Sequence, residues 1–297
     1  MELHWPLILF TFFLCVAGGI MFGQGLATAL GKGKKTQVVA LISAFVSLVV
    51  GGIAVFMHLQ HWERIFNGFG HITSGITLEF IACIVFVVVL AIYFLMMRRA
   101  DDQTAPKWCG WIFMVVGVAL VAVTGDSYLM AAVPAWDTPL LIVFYICNML
   151  AIGGFATIII ASVCKSDEQV DLAKKLAVIG IIAQLIVLVI YAVYITNTTG
   201  TYTDLGYYFD PTLPDNAMMD ITATVNILSG DQAPMFWAGA IAVGSVLPLI
   251  MALIMLKGRE GKATLGVAAA SLICVIVGSV CWRVILYLVA ISVFAVY

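Results

Sequence analysis

Charge is scarce in this chain, and that scarcity decides its solvent. Only 10% of the 297 residues are Asp, Glu, Lys or Arg, while 63% are hydrophobic. Soluble globular chains carry about 25% charged and about 45–50% apolar residues. Mean hydropathy is +1.12. A water-soluble fold cannot hide such an excess, because burial has a geometric ceiling; a bilayer is itself an apolar solvent and removes it. Metal-binding spacing is missing too. The seven cysteines, Cys15, Cys83, Cys109, Cys147, Cys164, Cys274 and Cys281, form no C-x-x-C pair and mostly lie inside apolar runs. No zinc site and no iron–sulfur ligand set is therefore expected. Nor are disulfides expected, since no two cysteines fall in outer loops. Histidine is absent from the middle of every apolar run. His4, His58, His61 and His71 all sit at run ends, so a bis-histidine haem lacks its facing axial pair. A signal peptide needs a positive n-region, and Met1-Glu2-Leu3-His4 carries no Lys or Arg; the first run is read as a retained helix.

What is present is a series of long apolar runs. A membrane-spanning helix needs about 20 largely apolar residues at ~1.5 Å rise across a ~30 Å core. Eight runs qualify: 5–30, 37–58, 73–98, 108–130, 137–163, 173–197, 234–256 and 263–297. Barrel strands would show about 10 residues of alternating polarity, which does not occur. The expected fold is an all-α bundle of eight transmembrane helices, with residues 1–297 forming one membrane domain. Glycines at small-xxx-small spacing, such as Gly19 and Gly23, permit close helix approach.

Twelve of the 14 basic residues fall in four alternate turns, three in each: Lys32, Lys34, Lys35; Arg98, Arg99, Lys107; Lys165, Lys174, Lys175; and Lys257, Arg259, Lys262. The positive-inside rule puts those turns in the cytoplasm and both termini on the outer face. The long 198–233 connection, with Asp204, Asp210, Asp215, Asp220 and Asp231 and no basic residue, is then outside. No nucleic-acid partner is expected.

Charge inside a span is expensive and needs a reason. Four residues stand out: His58, Glu79, Asp126 and Arg283. At ~1.5 Å per residue, Glu79 lies ~9 Å in from the outer start of helix 3, Asp126 ~27 Å up helix 4 and Arg283 ~30 Å up helix 8. His58 closes helix 2 at its outer end. Each also has a plainer reading. His58 fits an ordinary interfacial histidine, Glu79 a snorkelling or protonated acid, Asp126 a helix end before Ser127 and Tyr128, and Arg283 a neutralising partner for Glu79 or Asp126. A histidine, an acid and an arginine at one depth exceed what packing requires. Oxidation of a quinol releases two electrons and two protons. It calls for an apolar cleft, a near-neutral imidazole to take a hydroxyl proton and a carboxylate to pass it on. Transporters also use intramembrane charge, generally near the midplane on broken helices. No span here has a plainly unwound centre, Pro248 in helix 7 being the nearest exception.

Several of these residues lie in stretches that resemble a known family. His4-Trp5-Pro6-Leu7 leading into Phe10-Thr11-Phe12 and Cys15-Val16-Ala17-Gly18-Gly19 resembles the start of the dimethyl sulfoxide reductase membrane anchor family. So does Met57-His58-Leu59 followed by Arg64-Ile65-Phe66-Asn67 and Glu79, and so does Val133-Pro134-Ala135-Trp136 after helix 4. Arg283 and Tyr287 resemble a late Arg and Tyr of its last helix. The resemblance implies an anchor in a bacterial inner membrane that holds an iron–sulfur subunit and a molybdopterin catalytic subunit. It also implies that the anchor oxidises menaquinol and feeds the electrons to the iron–sulfur subunit in anaerobic respiration. On it, His58 and Glu79 are the expected working residues, with Arg283, Asp126 and Tyr287 completing the quinol site. No haem, iron–sulfur cluster or metal is expected in this chain. There are departures. Gln60-His61-Trp62 replaces the family's Gly-Ser-Pro, Asp126 has no family counterpart, and the 198–233 connection is long and carries Tyr202, Tyr207, Tyr208 and Phe209. A polysulfide- or nitrite-reductase-type anchor, and a small-solute or proton transporter, remain the alternatives.

Overall fold

The computed structural model describes residues 4–59, 61, 66–67, 69–131, 133–198, 226–258 and 262–290. Eight helices in this set are long and apolar enough to cross a membrane, and no strand occurs among the described residues. We number them α1 (Trp5–Ala29), α2 (Gln37–His58), α3 (Gly75–Arg99), α4 (Lys107–Ser127), α5 (Pro139–Val163), α6 (Asp167–Thr198), α7 (Met235–Lys257) and α8 (Lys262–Leu288). The expectation of an eight-helix membrane bundle holds. Most of the 198–233 connection, Arg64 and residues 291–297 lie outside the described residues.

Local chemistry explains the helix ends. Pro6 and Pro139 stand in the first turns of α1 and α5, where a missing N–H costs nothing. Thr138 caps α5 by accepting from Leu140 N at 3.3 Å. At their other ends α1 and α5 close alike. Lys32 N donates to Ala27 O after left-handed Gly31, and Ser166 N donates to Ala161 O after left-handed Lys165. Helix α6 starts at Asp167, earlier than the apolar run beginning at 173. Its acidic first turn suits a helix N-terminus, and buried Gln169 is drawn into the bundle by bonds with Thr36 and Gln24. Helix α4 stops at Ser127, short of residue 130.

Helices α1 and α5 form the centre: 67% of the most apolar window of each is buried, against 22% for α3. They pack on each other through Gly19 and Gly153, where a Cβ on either residue would strike the other's backbone. On the other side of α1, a Cβ on Gly18 would stand 2.8 Å from Gly117 O of α4. One core gathers Phe144, Phe155, Tyr191 and Trp282 from α5, α6 and α8. A second gathers Leu14, Leu41, Phe86, Tyr93 and Phe113 around α1 to α4.

The turns after α1, α3 and α5 meet at one end. Lys35 Nζ donates to Lys165 O at 3.0 Å, and Gln37 Nε2 donates to Lys34 O and Gln103 O. Beneath them Gln24, Thr28, Thr36, Gln37, Tyr93 and Gln169 form a buried hydrogen-bonded plug. We call this the basic end. The other, which holds residue 4 and the close of α8, is the terminal end.

Helix α7 departs from the unbroken span expected of it. Met235–Val246 is wound as a π-helix and only Leu247–Lys257 is α-helical. Leu247 N reaches back five residues to Ala242 O. In an α-helix the N–H of residue 248 would serve Gly244 O, but residue 248 is proline and has none. Gln184 of α6 donates there instead, Nε2 lying 3.2 Å from Gly244 O. Close packing of Gly244 on Gly278 of α8 holds the widened turn in place.

Candidate functional site

The terminal end gathers an imidazole, phenol and carboxyl cluster from five helices. His58 is the last residue of α2, and His4 immediately precedes α1. Their rings stand edge to face with centroids 5.1 Å apart. His4 in turn lies 6.1 Å from the Tyr287 ring of α8. The Tyr287 hydroxyl donates to that of Tyr128 at 3.4 Å. Trp136 wedges against both tyrosines, at 5.5 Å from Tyr128 and 5.3 Å from Tyr287, and its Nε1 donates to Leu286 O at 2.9 Å. The stretch carrying Trp136 is pinned from α6, where Tyr191 donates to Ala135 O and Tyr194 to Pro134 O.

Glu79 completes the cluster from α3. It is 9% exposed, and its Oε1 has no hydrogen-bond partner. The Ser127 side chain lies beside the carboxyl group. Tyr128, Tyr145 and Tyr287 are within its electrostatic reach. Gly75 permits this approach: a Cβ there would fall 2.8 Å from Ser127 Cα. Without that glycine, α3 could not seat its first turn on the end of α4. Buried acceptors are nearly always satisfied, and this oxygen is an exception.

Arg283 is fully buried, with 0% exposure, yet it does not join an acid. Nε donates to Thr11 Oγ1 at 3.1 Å and Nη1 to Asn148 Oδ1 at 3.0 Å. Nη1 also donates to the hydroxyl and carbonyl of Ser279, and Nη2 lies 3.2 Å from Cys15 Sγ. Phe12, Phe144 and Tyr145 present their ring faces at 5.9, 5.6 and 5.1 Å. The plain reading of Arg283 as a neutralising partner of Glu79 or Asp126 is therefore corrected. Acceptor atoms of Thr11, Asn148, Ser279 and Cys15, with three ring faces, satisfy the guanidinium instead. The polar chain continues through Asn148, whose Nδ2 donates to Gln184 Oε1 at 2.8 Å, and on to Gly244 and Ser245 of α7.

Asp126 immediately precedes Ser127 and Tyr128. It lies on the last turn of α4 with an exposed side chain, and its backbone carbonyl accepts from Leu129 N. His61 and His71 are exposed as well. Sequence reasoning singled out His58, Glu79 and Tyr287 but gave no role to His4, Ser127 or Tyr128. Position just before α1 and just after α4 was the signal available for His4 and Tyr128. Among the described residues, no three His, Cys, Asp or Glu side chains gather as a metal-binding group.

No curated protein matches the chain. A family model described as DMSO reductase anchor subunit (DmsC) matches residues 1–289, essentially its whole length. That match agrees with eight apolar helices, and it makes this chain a multi-pass membrane protein belonging to the DMSO reductase anchor subunit family.

Proposed function

We propose that the terminal end is a quinol-oxidising site, and that the chain passes electrons from menaquinol to an iron–sulfur subunit of a molybdopterin oxidoreductase. The observation that carries this reading is the continuous set His58, His4, Tyr287, Tyr128 and Glu79. Two imidazoles, two phenols and a carboxyl group with a free oxygen meet at one end of the bundle, which supports the reading. A quinol bound there donates one hydroxyl to imidazole and the other to the Glu79 carboxyl. As each electron leaves for the partner subunit, the corresponding proton passes to that base and then to water. Arg283 lies within electrostatic reach of Tyr287 and Tyr145, so its positive charge favours the anion that forms as the quinol loses its first proton. With the basic turns inside, the site faces outward in a bacterial inner membrane and releases its protons there.

The test is His58→Ala in the assembled complex. Quinol-driven reduction should fall by about 10²–10⁴-fold, the usual contribution of a positioned base, while reduction driven by a dye that bypasses the anchor persists. Quinol-driven turnover at the wild-type rate would refute the site. One observation favours a second reading. The π-helical half of α7 and the Arg283–Asn148–Gln184 chain give the bundle the irregular, polar midsection that transporters use. Solute or proton flux through liposomes holding the chain alone would support it, and co-purification with an iron–sulfur protein without such flux would dismiss it.

A further inference from the structure

Beside Glu79 the bundle is left open toward the membrane. A trough of about 310 Å³ lies between α2 and α3, lined by Leu48, Phe80, Cys83, Ile84, Val87 and Val88. Its lining carries no charged side chain. Helix α3 is the least embedded of the eight, and Ile84, Val87 and Val88 are 45%, 37% and 48% exposed. From Phe80 to Val88 the trough runs ~12 Å along α3 at ~1.5 Å per residue. Its upper end adjoins the cluster described above. Phe80 follows Glu79 in the chain, and Cys83, four residues on, lies one turn below Glu79 on the same helix face. Phe66 and Phe69 pack their rings against that of Phe80 at 6.2 and 5.7 Å.

We infer that this trough seats the polyprenyl tail of the quinol, so that the substrate enters sideways from the bilayer between α2 and α3 with its ring leading toward Glu79. The inference rests on the quinol reading above and adds its route and tail site. Continuity selects the occupant. A phospholipid acyl chain fits the trough's depth with its headgroup at the membrane surface, but it brings no hydroxyl to the free oxygen of Glu79, which lies ~6 Å inside the start of α3. A quinol ring is uncharged and can sit at that depth with its tail passing directly into the trough. Lipid tails are as apolar as the trough, so seating a prenyl chain gains little hydrophobic free energy. The trough acts by packing and direction, holding the ring's hydroxyl toward the free oxygen of Glu79.

The experiment uses the whole complex in membranes and two donors, a polyprenylated naphthoquinol and a tail-less naphthoquinol. Val87→Trp fills the trough from its lipid side, and Ile84→Trp does so independently. Each should raise the ratio of the two KM values, prenylated over tail-less, about tenfold, as overpacking a seat by about 1.4 kcal/mol would. Ile190→Trp, on the exposed surface of α6 at 50% exposure, is the control and leaves that ratio unchanged. An unchanged ratio in both trough variants, or equal losses with both donors, overturns the tail site while leaving quinol oxidation standing. A wild-type complex that oxidises neither quinol but accepts dye electrons overturns both readings together. A photoreactive phospholipid that labels α3 here, and is not displaced by the prenylated quinol, makes the trough a lipid seat and overturns the assignment.

Discussion

Gln184→Leu removes three buried hydrogen bonds at once, and the structure says how part of the loss can be restored. Gln184 accepts from Asn148 Nδ2 at 2.8 Å and donates to Gly244 O at 3.2 Å and Ser245 Oγ at 3.3 Å. Side-chain hydrogen bonds between membrane helices average about 0.6 kcal/mol, so the substitution should destabilise the bundle by about 2 kcal/mol. One of the three exists because Pro248 has no N–H to offer Gly244 O. Pro248→Ala supplies that N–H. In the Gln184→Leu background it should recover about 0.6 kcal/mol more than it does in the wild-type chain, where Gln184 already serves the carbonyl. Propensity and entropy effects of removing the proline cancel in this double-mutant cycle. Equilibrium unfolding in mixed detergent and denaturant micelles, run on the four variants, measures the coupling. If Pro248→Ala has the same effect in both backgrounds, Gln184 is not compensating for the proline and the account of the π-helix is wrong.

Other expectations are shorter to state. Arg283→Met should leave stability within about 1 kcal/mol of wild type, not the 3–5 kcal/mol of a broken buried ion pair. Asn148 Oδ1 keeps the Ser279 hydroxyl, and Thr11 Oγ1 still donates to Ile8 O. Quinol-driven turnover should nevertheless fall about tenfold with the loss of the local positive charge; unfolding and steady-state assays on the same preparation separate the two. Gly153→Val should cost about 3 kcal/mol, at the upper end for overpacking, because its side chain collides with the Gly19 backbone at the α1–α5 crossing; the detergent melting temperature reads it. Asp126→Asn should leave quinol-driven turnover within about twofold of wild type, as exposed substitutions do, since the side chain is exposed.

The sequence determined the solvent, the number of spans and the family. Each follows from composition or from local pattern: long apolar runs, turns rich in Lys and Arg, and short stretches such as His4-Trp5-Pro6 and Val133-Pro134-Ala135-Trp136. Helix depth along a single chain was also legible, because rise per residue is nearly constant, and it placed His58 and Glu79 toward one end. What a linear reading could not supply is rotation about each helix axis and the choice of neighbours. Those depend on which faces interdigitate across the bundle, and they decided the rest. Asp126 shares the depth of the cluster, yet its side chain is exposed whereas that of Glu79 is buried. Arg283 turns to Thr11, Cys15 and Asn148, residues far away in sequence, instead of to an acid. His4, unremarkable before the first helix, is brought against His58 and Tyr287 because α1 runs through the centre of the bundle between their helices. The π-helix of α7 likewise had only a faint local mark, Pro248. Its partner Gln184 lies 60 residues from Gly244, and only folding sets that amide against the carbonyl the proline leaves unserved.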